Sequence, residues 1–150
     1  MQITLSINKT PVTLDVDLGE FLVDSLRAKG SYSVRRGCDT TCCGLCTIWL
    51  DGKPVLSCSV LSVRAQGKEI TTIEGLRQEA EEFAAFLAAE GADQCGYCSP
   101  GFIMTVLALK REITNPTEAD IIHYLTGNLC RCTGYQGQLR AIKKYLGVTA

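Results

Sequence analysis

The first part of the chain alternates in polarity. Ile3, Leu5 and Ile7 are separated by polar residues, and after Asn8-Lys9 the alternation resumes at Val12, Leu14 and Val16. A period of two places one face of a strand inward, so this stretch predicts a hairpin turning at Asn8-Lys9. In residues 18–29, LGEFLVDSLRAK, the period changes. Phe21, Leu22, Ser25 and Leu26 share one face at helical spacing, and Gly30 stops the helix. TIWLDGKPVL (47–56) predicts a second hairpin with Asp51-Gly52 at its turn, and KEITTI (68–73) a closing strand. Together these segments predict a small mixed sheet with one helix packed across it.

The second part has helical periods only. RQEAEEFAAFLAAEG (77–91) is amphipathic and ends at a glycine. SPGFIMTVLALKRE (99–112) offers Ser99 as N-cap and Pro100 as first helical residue. NPTEADIIHYLTGN (115–128) starts at Pro116-Thr117 and stops at Gly127, and GYQGQLRAIKKYLG (134–147) is a fourth helix. The shift from strand to helix falls near Glu74–Arg77, which divides the chain into residues 1–75 and 76–150.

Composition narrows the function. At 150 residues the chain suits one ordinary domain or two small ones. A net charge of −1 gives no basic stripe for nucleic acid and no acidic tail. The start, MQITLSINKT, alternates where a signal peptide would be continuously apolar. The apolar runs are far below the ~20 residues needed to span a bilayer. The expectation is a soluble, cytoplasmic protein with no membrane partner. Nine cysteines in such a chain point to metal ligation or catalysis, because reducing compartments disfavour a disulfide framework.

Cys38, Cys43 and Cys46 follow C-x4-C-x2-C, and Cys58 lies further along. This is the plant-type ferredoxin spacing for a 2Fe-2S centre. A short loop supplies three thiolates and a separate element supplies the fourth, while Gly37 and Gly44 let the backbone approach the sulfides. The spacing passes over Cys42, which reads as a spacer. Zinc fits less well, because structural zinc commonly uses two C-x2-C knuckles. Cys95 and Cys98 (QCGYC) with Cys130 and Cys132 (CRC) make a second set of four. Alone, this set is open between zinc, a redox-active C-x-x-C and an iron–sulfur cluster. Its position before two predicted helices favours an anionic cluster.

GCDTTCCGLCTIWLDGKPVLSC, QCGYCSPG and GNLCRCTGY together resemble the small two-cluster iron–sulfur subunit of the molybdenum hydroxylases, over nearly the whole chain. That group includes xanthine dehydrogenase, aldehyde oxidoreductase, carbon monoxide dehydrogenase and 4-hydroxybenzoyl-CoA reductase. The resemblance implies an α+β protein. An N-terminal β-grasp ferredoxin-like domain holds one 2Fe-2S cluster on Cys38, Cys43, Cys46 and Cys58. A C-terminal four-helix domain holds a second on Cys95, Cys98, Cys130 and Cys132. It implies that Gln94 contacts the molybdopterin of a large partner subunit, and that a medium partner subunit carries FAD. Electrons then pass from molybdenum through the helical-domain cluster and the ferredoxin-type cluster to FAD, with the direction reversed in the acyl-CoA reductase branch. The implied assembly is a hetero-oligomer, a heterotrimer or a dimer of heterotrimers. Purines or other N-heterocycles are the favoured substrate class, with aldehydes, carbon monoxide and aromatic acyl-CoA compounds as alternatives.

Nothing on this chain looks able to perform the hydroxylation itself. His123, the one histidine, reads as a surface or core residue of a helix. Trp49 reads as packing or interface, EAEEF as a solvated helix face, and Tyr97 as a spacer packed on the helical domain. Arg35, Arg36 and Arg131 flank the cysteines and read equally as cluster-tuning charges or solvated surface. Two rivals are a free-standing two-cluster ferredoxin and a zinc-stabilised interaction module.

Overall fold

The computed structural model describes residues 1–148. Five strands make one mixed sheet: β1 (Gln2–Ile7), β2 (Thr10–Asp15), β3 (Thr47–Leu50), β4 (Lys53–Leu56) and β5 (Glu69–Thr71). Their order is β2-β1-β5-β3-β4. β1–β2 and β3–β4 are the two expected hairpins. Their turns hold consecutive residues at positive φ, Asn8 (50°) with Lys9 (68°) and Asp51 (49°) with Gly52 (79°), a twist that matches the flanking strands. β5 enters between the hairpins, parallel to β1 and antiparallel to β3. Helix α1 (Leu22–Ala28) buries Leu22, Val23 and Leu26 in a core with Ile3, Leu5, Leu14, Val16, Ile48 and Ile70. This is the expected ferredoxin-like domain.

Two boundaries differ from the sequence pattern. The helix expected from residue 18 begins at Leu22, because Asp17–Glu20 closes a turn first. The Glu20 amide donates to the Asp17 carbonyl, and the Asp17 amide to the Glu20 carboxylate. Phe21, expected on the buried face, is extended, bridges to Leu61 and stays exposed, and Val23 takes the inward place. The strand expected over 68–73 stops at Thr71. Thr72 turns away to Asn8, donating its amide to Asn8 Oδ1 at 2.9 Å and accepting from Asn8 Nδ2 at 2.9 Å.

The helical part contains α2 (Arg77–Ala89), α3 (Ser99–Glu112), α4 (Glu118–Tyr124) and α5 (Gln136–Leu146). From Gly101 to Leu109 every residue of α3 is buried. A helix apolar all round must be covered all round. Phe83 and Leu87 of α2, Ile121 of α4, and Ala141 and Ile142 of α5 supply cover, and Trp49 of β3 supplies more. Trp49 belongs to the sheet by chain position but to the helical core by packing. Its indole Nε1 donates to the Met104 carbonyl at 3.0 Å, a buried bond worth ~1 kcal/mol net. Ser99 is not the cap of α3; it is the first helical residue, and Cys98 occupies the cap position. Thr117 and Asp120 form a reciprocal capping box that starts α4.

Candidate metal centres

The loop after α1 supplies three thiols, and the short 3-10 turn Ser57–Ser59 supplies a fourth. Cys43, Cys46 and Cys58 are buried, Cys38 is half-buried and Cys42 is exposed. The thiols pair by hydrogen bonds, Cys38 with Cys43 and Cys46 with Cys58, and Cys58 also feels the charge of Cys38. Cys42 lies outside both pairs, with its sulfur 3.1 Å from the Thr40 hydroxyl. The Cys58 turn is tied to the loop by Ser57, whose amide and hydroxyl both donate to the Cys46 carbonyl, at 3.2 and 2.7 Å.

Each pair is electrostatically uneven. The hydrogen bond from Cys43, helped by the Cys42, Cys43 and Thr40 amides, overcomes burial and brings Cys38 down to about 6. Burial raises Cys43 and pushes Cys58 up to about 12. Cys38 thus gives up its proton readily, whereas Cys43 and Cys58 hold theirs more tightly.

In the second quartet, Cys95 and Cys98 flank Gly96, whose φ of +69° makes the tight turn between them. The Cys95 and Cys132 sulfurs lie 3.5 Å apart and both residues are exposed. Cys98 and Cys130 form the inner pair, half-buried and buried. Burial raises Cys98 to about 11. Burial also opposes ionisation of Cys130, but the Thr133 hydroxyl, 3.1 Å from its sulfur, and the Thr133 and Cys132 amides outweigh it and leave Cys130 lowered. The Tyr135 hydroxyl accepts the Cys130 amide at 2.9 Å. Sequence reasoning missed both roles; the signal was their place directly after the CRC pair.

Among the described residues, no group of three or more His, Cys, Asp or Glu side chains gathers as a single-ion site. The thiols gather instead as pairs, two pairs to a quartet. A binuclear cluster, in which each iron takes two cysteines, suits that division better than one tetrahedral zinc.

The two quartets abut through backbone. The Leu129 amide, one residue before Cys130, donates to the carbonyl of Cys43 at 2.9 Å. A Cβ on Gly101, in the first turn of α3, would lie 2.3 Å from the Gly44 carbonyl oxygen. Tyr97 does not pack on the helical domain as expected. It is half exposed, its ring lies under the Arg35 guanidinium at 5.0 Å, and its hydroxyl donates to the Arg36 carbonyl at 3.3 Å. Arg36 pairs with Asp24 at 2.7 Å. Gln94, Arg131 and His123 are exposed, Gln94 beside Cys95 of the outer pair.

Residues 5–72 match the family described as 2Fe-2S iron-sulfur cluster binding domain, and residues 72–143 that described as [2Fe-2S] binding domain. The chain is therefore a redox protein of two 2Fe-2S clusters. It is 50% identical over 101 residues to a probable xanthine dehydrogenase subunit of Bacillus subtilis (strain 168), a match covering 66% of this chain and 58% of that one. It is 37% identical over 144 residues to the nicotine 6-hydroxylase small subunit of Paenarthrobacter nicotinovorans, covering 95% and 87%. Its fold matches a chain of quinoline 2-oxidoreductase from Pseudomonas putida 86 with a TM-score of 0.87 at 37% identity, covering 95% and 90%. The chain belongs to the family of small iron–sulfur subunits of molybdenum hydroxylases, and its function is electron transfer within an oxidoreductase complex. It works with partner subunits, as those relatives do. Among the described residues no helix is long and apolar enough to cross a membrane.

Proposed function

We propose that Cys38, Cys43, Cys46 and Cys58 ligate the cluster of the ferredoxin-like domain, and that Cys95, Cys98, Cys130 and Cys132 ligate the cluster of the helical domain. The chain then relays electrons between the molybdopterin of a large partner subunit and the FAD of a medium one. One observation carries this reading: eight of nine thiols fall into four pairs and two quartets, one quartet per domain. Bound, each cluster supplies one-electron redox steps.

The chain's own residues divide the labour. Burial of Cys43, Cys46 and Cys58 keeps water from the first quartet. Exposure of Cys95 and Cys132 opens the second to an approaching partner. Gln94, exposed beside them, offers a carboxamide donor and acceptor to the pterin. The domains are taken as residues 1–75 and 76–150, and the cytoplasm suits cysteines kept free of disulfides. Xanthine, nicotine and quinoline, named in three of the relatives, are N-heterocycles, and although other relatives are aldehyde oxidoreductases we take an N-heterocycle as the substrate class for the complex. The assembly is a heterotrimer or a dimer of heterotrimers.

The test is composition of the anaerobically purified native complex. About four irons and four acid-labile sulfides per chain, two reduced EPR signals and two larger subunits are expected. A lone chain carrying all the iron, or a colourless zinc protein without sulfide, overturns the reading. Gln94→Ala should leave both signals intact and slow turnover about tenfold; turnover equal to the parent removes that role.

A further inference from the structure

Arg35 reaches from one ligand loop into the other. It stands three residues before Cys38, and its backbone amide donates to the Leu45 carbonyl at 3.3 Å. Its side chain crosses the domain boundary. Nη1 donates to the carbonyls of Gly96 at 2.9 Å and Tyr97 at 2.7 Å, the two residues enclosed by Cys95 and Cys98. The Tyr97 ring under the guanidinium and the Tyr97 hydroxyl on the Arg36 carbonyl complete a reciprocal clasp. Arg36 spends its charge on Asp24, but among the described residues Arg35 has no carboxylate partner. A solvated surface arginine would not hold two backbone carbonyls and a ring at once.

We propose that Arg35 is the positioning residue that fixes the Cys95–Cys98 turn against the first loop and raises the reduction potential of the helical-domain cluster. The inference rests on the ligand assignment above. Reduction adds an electron to an already anionic cluster, so a fixed, uncompensated cation beside its ligand loop stabilises the reduced state. Both carbonyls of the turn are also held by the guanidinium, which keeps the turn that spaces Cys95 from Cys98 in one conformation. The Arg36 side chain, paired with Asp24 at 2.7 Å, makes no such contact with the turn among the described residues.

The experiment is an EPR-monitored redox titration of the purified complex carrying Arg35→Gln or Arg36→Gln. Arg35→Gln should lower the helical-domain potential more than the ferredoxin-type one. The expected size is on the order of a tenfold change in the oxidised-to-reduced ratio, ~59 mV for a one-electron couple. Arg36→Gln, which removes a charge already paired with Asp24, should shift the helical-domain potential less than Arg35→Gln does. Unchanged potentials in Arg35→Gln, or equal shifts of both clusters, overturn the proposal. If Arg35→Gln fails to assemble its clusters, Arg35→Lys decides. Lysine keeps the charge but lacks the planar fork that stacks on Tyr97, so the helical-domain potential should fall by a smaller amount; a parental value overturns the proposal. Failure of the ligand assignment looks different, because the parent complex itself would then lack a second signal.

Discussion

Cys132→Ser should remove one of two reduced EPR signals and about two of four irons per chain, leaving the other signal at its parental shape. The reason is the separation of the quartets. Every thiol of the first lies between residues 38 and 58, and Cys46 and Cys58 pack in the core that contains Leu22, Ile48 and Ile70. Cys132 meets only the second quartet, through Cys95 at 3.5 Å. A serine hydroxyl ionises far less readily than a thiol and is a poor substitute for a soft ligand. The exposed outer pair would lose its hold on one iron, and a binuclear cluster cannot persist on the inner pair alone. Because metal binding in such domains contributes folding free energy, the helical domain should also melt earlier than the sheet domain. Loss of both signals would mean that the clusters assemble as one unit; loss of neither would remove Cys132 from the ligand set. Iron and sulfide analysis with EPR of the reduced variant separates the three outcomes.

How much of this was legible beforehand depended on how local each cause was. The hairpins could be read because Asn8-Lys9 and Asp51-Gly52 carry their turn conformation in adjacent residues. The first quartet could be read because a loop fixes the spacing of its own thiols, and Cys42 fell outside it on spacing alone. Apart from the start of α1, the features that failed were long-range. Ile48 and Trp49 alternate as a strand should, but only the fold reveals that the outward face of β3 is covered by α3, turning Trp49 into a core residue of the other domain. The start of α1 moved because a side chain three residues away, Glu20, bonded back to Asp17 and closed a turn. Tyr97 was misplaced for the same reason that Arg35 stayed ambiguous: their contact spans 62 positions of sequence and leaves no periodic trace.

Gly101→Ala should separate the two domains more effectively than any surface change. Gly101 has ordinary helical geometry, and alanine is the better helix former by about 1 kcal/mol, so local propensity argues for stabilisation. Packing argues the opposite and is larger. The added methyl would lie 2.3 Å from the Gly44 carbonyl oxygen and 2.9 Å from both the Leu45 Cα and its carbonyl oxygen. Those atoms are backbone, and they belong to the loop that holds Cys43 and Cys46, so no side chain can swing aside. Gly44 has no room to retreat. It sits at φ +72°, and a Cβ of its own would meet the Gly127 carbonyl at 2.4 Å. The first turn of α3 must therefore move off the loop, which strains the Leu129–Cys43 hydrogen bond and lengthens the path between the quartets. A net loss of about 3 kcal/mol is expected, lowering Tm by on the order of 10 °C. Gly19→Ala, in open space, should stay within about 0.5 kcal/mol of the parent and serves as the control. The spin–spin interaction between the reduced clusters should weaken in Gly101→Ala and not in Gly19→Ala. Equal melting temperatures for the two variants would mean that the loop yields to a methyl group, and that backbone-to-backbone contact is not what sets the distance between the two halves.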